Sequence, residues 1–145
     1  MRMKTFYLLC GMPFSGKTTL AKSILQHLHC SYISLDFVNQ QRGLNGGEGI
    51  PVTEWEKTHS IAINILHQLM PTHQDVILDD TNCFRWLRDR YRILGQLYNY
   101  QTIIIYLDIP LDEIRSRMQE NEESKSRLGV KQNIVDEMAK TFEQP

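Results

Sequence analysis

The sequence has 145 residues, of which 41% are hydrophobic and 23% are charged, so it is long enough for one domain with a buried core. Its formal net charge of -1 at pH 7 excludes a protein that binds polyanions through bulk positive charge. No apolar run is long enough for a signal peptide or a membrane span, and the three cysteines lack metal-ligand spacing, so we expect a cytoplasmic protein with reduced thiols.

The first predicted strand leads through a glycine-containing loop into a helix. The strand covers residues 5–10, and the helix covers about 18–29, with apolar residues at helical spacing on one face. Between them, residues 11–18 read Gly-Met-Pro-Phe-Ser-Gly-Lys-Thr, which fits the P-loop pattern G-x-x-x-x-G-K-[ST] at every fixed position. A strand, a glycine loop and a helix N-terminus in this order can bind a chain of phosphates.

The fixed positions of this loop each have a physical role. Gly11 and Gly16 let the backbone turn and point its amides at phosphate oxygens. Lys17 places a positive charge on the outer phosphates, and the Thr18 hydroxyl is placed to ligate Mg²⁺. We therefore predict ATP and Mg²⁺ as cofactors, although no base-reading motif separates ATP from GTP. The predicted nucleotide-binding residues are Gly11, Pro13, Phe14, Ser15, Gly16, Lys17, Thr18 and Thr19, with Thr18 also the predicted metal ligand.

The second predicted strand, residues 31–35, ends at Asp36. The glycine-rich residues 37–52 predict a mobile loop, and a helix follows over about 53–70. Trp55 and His59 lie one turn apart on that helix. We expect Trp55 in the core and His59 at the surface, with a shared place at a binding pocket as the alternative.

The third predicted strand, residues 76–78, is fully apolar, as central parallel strands tend to be, and runs into Asp-Asp-Thr-Asn at 79–82. Strands alternating with helices predict a three-layer α/β/α sandwich with a parallel sheet. We expect four strands, with a fifth as the alternative, in a single domain over residues 1–145. The remaining predicted elements are a helix at about 85–98, a strand at 102–107, a helix at about 111–119, a polar lid at about 121–130 and a helix at about 131–142.

Acidic residues follow two of the predicted strands, at the sheet edge where ligands of α/β proteins bind. Asp36 is the predicted general base, since a carboxylate can accept the proton of an attacking hydroxyl; a turn-capping aspartate is the alternative. One of Asp79 and Asp80 could hold Mg²⁺ through water while the other binds the acceptor. Alternatively, one of them could cap the next helix. The sequence does not assign these roles to the two residues.

Four arginines are candidates for a role in the reaction. Arg127 lies in the predicted lid, where it could neutralise the phosphoryl group in flight, and is the third predicted catalytic residue beside Lys17 and Asp36. Arg88 lies two helical turns after the polar edge and is a predicted acceptor-binding residue. For Arg115 and Arg117 a functional role and a solvated surface remain equal alternatives.

With these residues in view, the chain resembles the P-loop kinase-like ATPases that include the 5′-kinase domain of polynucleotide kinase. Zeta toxins and chloramphenicol phosphotransferase are more distant relatives of that group. The resemblance implies that Asp36 is the general base, that Asp80-Thr81-Asn82 helps to bind the acceptor, and that Arg127 contacts the transferred phosphate. One departure is that polynucleotide kinases carry an arginine three residues after the base, where this chain has Asn39.

The sequence therefore predicts an ATP- and Mg²⁺-dependent phosphotransferase that acts on a hydroxyl acceptor. The acceptor-binding residues are predicted to be Asp80, Asn82 and Arg88. The departure at Asn39 favours a smaller hydroxyl compound over a nucleic-acid end, but both remain open. The alternative is an ATPase or nucleotide-binding switch that has no hydroxyl acceptor.

Overall fold

The computed structural model describes residues 2–44, 50–124 and 132–145, and these contain four strands and six α-helices. A single 3₁₀ turn, Met70–Thr72, follows the third helix. The strands are β1 (Thr5–Cys10), β2 (Cys30–Ser34), β3 (Asp75–Asp79) and β4 (Gln101–Tyr106). The helices are α1 (Lys17–His27), α2 (Leu35–Gln41), α3 (Val52–Leu69), α4 (Arg85–Leu97), α5 (Leu111–Ser124) and α6 (Gln132–Thr141).

The four strands form one parallel sheet in the order β2-β3-β1-β4. β1 lies between β3 and β4, so the loop that follows it opens at the middle of the sheet edge. Tyr32 of β2 is level with Ile77 of β3, and Ser34 is level with Asp79. The predicted parallel sheet with helices on both sides is confirmed.

Side chains of the strands alternate between two packed layers, because successive residues of a strand point to opposite faces. Phe6 and Leu8 of β1 pack with the α3 and α4 helices, in a core that includes Leu66 and Tyr91. Leu9, on the other face of β1, packs with Ala21 of α1. A third, smaller cluster joins Phe14, Ile114, Met118 and Val135, and so ties the loop after β1 to α5 and α6.

The predicted loop over residues 37–52 begins too early, because residues 37–41 belong to α2, which begins directly at the end of β2. The side chain of Ser34 caps this helix by accepting a hydrogen bond from the amide of Phe37 at 3.3 Å. Leu35 and Val38 bury one side of the helix. Asp36 therefore lies in the first turn of a helix, where a negative charge is favoured by the helix dipole, rather than at the end of the strand as predicted.

Two further corrections concern which side chains are buried. His59 is buried rather than at the surface, whereas Trp55 is half-buried and packs against the larger core. α5 extends to Ser124, so the first four residues of the predicted lid, 121–124, are helical. Residues 125–131, with the predicted catalytic Arg127, lie outside the described residues. No helix in the described part of the chain is long and apolar enough to cross a membrane.

Leu66 of α3 is fully buried in the larger core, and Leu97 of α4 is 67% exposed. We expect Leu66→Ala to lower the free energy of unfolding by about 2–5 kcal/mol, because it leaves a cavity that the sheet and helices cannot close. Leu97→Ala removes the same atoms from the surface and should change that free energy by about 0.5 kcal/mol or less. Urea denaturation measures both variants; equal losses would contradict the assigned core.

Candidate active site

The loop after β1 needs glycine at its first position. The amide of Gly11 donates to the carbonyl of Thr81, 3.0 Å away, so the loops after β1 and β3 continue the pairing of their strands. A Cβ on Gly11 would lie 2.7 Å from the Ser15 hydroxyl oxygen and 3.2 Å from the backbone oxygen of Leu107. A residue with a Cβ at this position would require both the Ser15 side chain and the Leu107 backbone to shift.

The same loop ends at the N-terminus of α1, where the first amides of a helix have no intrahelical partner. Gly16 is the N-cap in the left-handed region, with φ 99°, and makes no side-chain cap hydrogen bond. The first turn of α1 itself carries no acidic residue, which favours a bound negative charge at this helix end. Phe14 also has a positive φ, 66°, and its buried ring holds the loop against α5 and α6.

Lys17 lies across the loop rather than in solvent. Its Nζ donates to the carbonyl oxygens of Gly11 at 3.0 Å and Met12 at 2.8 Å. Both acceptors belong to the loop itself, so the ammonium group is held where the phosphates of a nucleotide would lie. Thr19, another predicted nucleotide-binding residue, is exposed on the first turn of α1.

Thr18 and Asp79 join α1 to the end of β3. The Thr18 hydroxyl donates to Oδ2 of Asp79 at 2.9 Å, and the Tyr32 hydroxyl donates to the same oxygen at 2.5 Å. Burial, followed by the hydrogen bond to Asp79, raises the pKa of Tyr32, so its hydroxyl stays a neutral donor. Hydroxyl and carboxylate oxygens are the ligand atoms that Mg²⁺ prefers.

This donor set fits Mg²⁺ held largely by the phosphates of a nucleotide. Such ions keep several waters and use only one or two protein ligands. In keeping with that, the described residues contain no group of three or more His, Cys, Asp or Glu side chains that could hold a metal ion by themselves.

Asp80 lies on the opposite side of the sheet from Asp79. Its Oδ2 accepts a hydrogen bond from the Asn82 amide at 3.2 Å and lies 3.9 Å from Nε2 of His59. Nδ1 of His59 is in turn 2.6 Å from the Tyr91 hydroxyl. Burial lowers the pKa of His59, although the charge of Asp80 partly offsets this. The imidazole is therefore favoured in its neutral form beside a buried carboxylate.

Asn82 and Arg88 are buried beneath this edge rather than exposed in an open cleft. Nδ2 of Asn82 donates to the carbonyl of Leu9 at 2.7 Å, and Nη1 of Arg88 donates to the carbonyl of Asn82 at 2.6 Å. Oδ1 of Asn82 and Nη2 of Arg88 are buried with no hydrogen-bond partner among the described residues. Unpaired buried polar atoms are costly, and a bound ligand or water would relieve that cost.

Asp36 is exposed on α2. Asn39 stands at the position of the expected arginine and Arg42 is the nearest basic residue, and both side chains contact α3. Asn39 is fully buried and accepts a hydrogen bond from Thr58 at 2.5 Å. Arg42 donates to the carbonyl of Glu54 and to the Thr58 hydroxyl, each at 2.8 Å, and pairs with the Glu54 carboxylate. Its guanidinium is therefore engaged between the two helices.

The structure separates two arginines that the sequence left equal. Arg117 of α5 reaches the P-loop, where its Nη1 donates to the carbonyl of Phe14 at 2.8 Å, and its Nε pairs with Glu113 at 3.1 Å. Arg115 instead pairs with Asp136 of α6 at 3.0 Å. Helical periodicity was the sequence signal that could have distinguished Arg117 from Arg115. Arg117 follows the buried Ile114 by three residues and so borders the buried face of α5.

Comparison with known proteins identifies the fold. A family profile described as AAA domain matches residues 6–145. No curated protein matches the sequence. The fold resembles a chain of the Pnkp1/Rnl/Hen1 RNA repair complex, with a TM-score of 0.79 and 19% identity over 97% of this chain. This chain spans 44% of that relative, which is less than half its length.

Two further solved structures are similar over almost the whole chain. Chaetomium thermophilum Kti12, in complex with ADP-AlF3, has a TM-score of 0.71 and 17% identity, over 97% of this chain and 81% of its own. Mycobacterium tuberculosis APS kinase CysC, in complex with AMPPNP and APS, has a TM-score of 0.67 and 17% identity, over 99% of this chain and 84% of its own. The resemblance to P-loop kinase-like proteins inferred from the sequence is thereby confirmed.

The position of Lys17 predicts how the P-loop responds to nucleotide. Mg-ATP should raise the melting temperature of the unmodified protein, since a ligand at a hundred times its Kd adds about 2.7 kcal/mol to the native state. Lys17→Ala should abolish most of that shift while the protein without ligand still melts cooperatively. Lys22→Ala, on an exposed position of the same helix, should keep the full shift. An undiminished shift in Lys17→Ala would contradict the assignment.

Proposed function

Because the chain belongs to the AAA domain family, we propose that it is an ATP- and Mg²⁺-dependent phosphotransferase that moves the γ-phosphoryl group of ATP to a hydroxyl acceptor. The observation that carries this proposal is the 2.9 Å hydrogen bond from the P-loop hydroxyl of Thr18 to Asp79. It couples the phosphate-binding loop to a carboxylate at the end of the neighbouring strand, as nucleotide chemistry on a P-loop requires.

On the nucleotide side, the amides of the P-loop and the ammonium of Lys17 hold the phosphates of ATP. Lys17 exchanges its present partners, two carbonyls of its own loop, for phosphate oxygens. Thr18 and Asp79 are the residues that would hold Mg²⁺, which neutralises charge on the β- and γ-phosphates when it is bound. Arg127, outside the described residues, is the proposed arginine that stabilises the charge of the transition state.

On the acceptor side, Asp36 is the proposed general base. α2 begins directly after β2, which brings its first turn to the carboxyl edge of the sheet, and Asp36 is exposed there. An ionised carboxylate at this edge can take the proton of an acceptor hydroxyl as its oxygen attacks the γ-phosphorus.

Asp80, Asn82 and Arg88 are proposed to bind the acceptor from the other side. The buried Oδ1 of Asn82 and Nη2 of Arg88 offer one acceptor and one donor with no partner among the described residues. Asp80, beside a neutral His59, contributes a carboxylate. Asp80 offers its carboxylate at the edge, and a hydroxyl group of the acceptor would reach the two buried atoms only by entering beneath that edge.

The charges near Asp36 favour an acceptor whose hydroxyl has no phosphate beside it. Asn39 is neutral and buried, and Arg42 is paired with Glu54, so neither offers a free cation for a phosphate. The contacts therefore favour a nucleoside, a sugar, an antibiotic or a similar small alcohol over a nucleic-acid end.

The Asp36→Asn variant tests the phosphotransferase proposal. Asparagine is nearly isosteric but cannot take a proton, so transfer from ATP to a hydroxyl acceptor should fall by roughly 10²-fold or more. ATP affinity and the melting temperature should change little, and background ATP hydrolysis should fall much less than transfer. The assay follows radiolabelled phosphate from ATP into a library of alcohols, nucleosides and oligonucleotides.

Asp112→Asn is the matched control, because Asp112 is likewise the second residue of its helix and is highly exposed. It should leave both transfer and stability unchanged. Loss of folding in Asp36→Asn alone would make Asp36 a structural helix residue. ATP hydrolysis by the unmodified protein with no transfer to any acceptor in the library would instead support the alternative of a simple ATPase.

The neighbouring carboxylates give a second test of the same proposal. Asp79→Asn should weaken the Mg²⁺-dependent part of ATP binding, since it removes a charged partner of the metal site. Asp80→Asn should keep Mg-ATP binding and lower transfer to the acceptor. Isothermal titration of ATP with Mg²⁺ and with EDTA measures the first effect, and the transfer assay measures the second. The reverse pattern would contradict the assignment of the two sides.

A further inference from the structure

One oxygen of Asp79 accepts two hydroxyl hydrogen bonds, and only one of them comes from the P-loop. The second comes from Tyr32 of β2, whose hydroxyl lies 2.5 Å from Oδ2 of Asp79. Thr18 donates to the same oxygen at 2.9 Å. Among the described residues the other oxygen, Oδ1, accepts no hydrogen bond. The carboxylate is thus fixed through one oxygen, and the second is available to a ligand.

The sheet register explains how Tyr32 reaches this carboxylate. Tyr32 is level with Ile77 of β3, two residues before Asp79. Two residues of a strand span about 6.6 Å, which is close to the reach of a tyrosine side chain from its Cα. Ile77 packs against α1, on the face of the sheet that also carries Thr18. The Tyr32 side chain therefore extends along the α1 side of the sheet to the end of β3, where Asp79 lies.

The contact is not explained by core packing. The Tyr32 residue is 38% exposed, so its ring contributes less to the core than a buried aromatic would. A phenylalanine would fill the same space without reaching Asp79. The hydroxyl is the part of this side chain that contacts the site.

We propose that Tyr32 is a positioning residue for the magnesium site, where its hydroxyl fixes the orientation of the Asp79 carboxylate that would hold the ion together with Thr18. This inference rests on the nucleotide and Mg²⁺ binding of the proposed function, but not on the hydroxyl acceptor. A residue that orients a metal-binding carboxylate by a hydrogen bond stabilises the metal complex without touching the metal. Removing such a residue weakens metal affinity by about 10–100-fold.

Tyr32→Phe tests the proposal with Mn²⁺ as the metal probe and ADP as the nucleotide. Electron paramagnetic resonance measures the Kd of Mn²⁺ for the complex of the protein with ADP, without any turnover. The variant should bind Mn²⁺ about 10-fold more weakly than the unmodified protein. ADP binding in EDTA and the melting temperature without ligand should be unchanged, because the hydroxyl acts only through Asp79.

Tyr106→Phe is the matched control. Tyr106 is the last residue of β4, at the other edge of the sheet, and its hydroxyl lies 3.4 Å from Oδ1 of Asp108, so it too contacts a carboxylate. That contact does not involve Thr18 or Asp79. The control variant should bind Mn²⁺ and ADP as the unmodified protein does.

Three outcomes would overturn the proposal, and a fourth would support it independently of any phosphorylation of an acceptor. Unchanged Mn²⁺ affinity in Tyr32→Phe would show that the hydroxyl does not position the site. A comparable loss of metal-free ADP binding or of melting temperature would make Tyr32 a packing residue. No ADP binding by the unmodified protein would overturn this inference together with the proposed function. Weaker Mn²⁺ binding by the variant supports the inference even if no acceptor is ever phosphorylated.

Discussion

The alternation of side chains at the end of β3 is the constraint on which the site depends. Asp79 and Asp80 are adjacent in sequence, yet an extended backbone sends neighbouring side chains to opposite faces of a sheet. Asp79 therefore meets Thr18 and the P-loop on the α1 side, while Asp80 meets His59 on the α3 side. One pair of residues thus supplies two chemically separate half-sites, with the sheet edge between them.

Hydrogen bonds beyond the strands keep these two half-sites in register. The Gly11 amide bonds to the Thr81 carbonyl, and the Asn82 side chain bonds to the Leu9 carbonyl, so the loops after β1 and β3 are joined in both directions. The buried Arg88 side chain donates a hydrogen bond to the Asn82 carbonyl and so stabilises the loop after β3. Burying a guanidinium is expensive, and its bond to a loop carbonyl offsets part of that cost. The phosphate-binding loop and the acidic edge consequently behave as one rigid unit.

The features that could be predicted from the sequence are those encoded locally. The P-loop is recognised from the spacing of its fixed residues, and the strands are recognised from short apolar runs. The sheet and the nucleotide-binding side of the candidate site could therefore be predicted. The α2 helix was missed because the glycines after residue 42 indicated a loop. The pattern that indicates the helix, a Ser34 cap followed by the apolar residues Leu35 and Val38, is short. The burial of His59 depends on Tyr91, 32 residues away, and the separate roles of Asp79 and Asp80 depend on which face each takes. Neither is a property of a local segment.

The attachment of the P-loop to α5 has a thermodynamic consequence. The Phe14 ring is buried among residues of α5 and α6, and Arg117 of α5 donates to the Phe14 carbonyl. A ligand that orders the loop therefore also biases the position of this helix. By linkage, anything that shifts the helix must alter affinity at the loop by the same free energy.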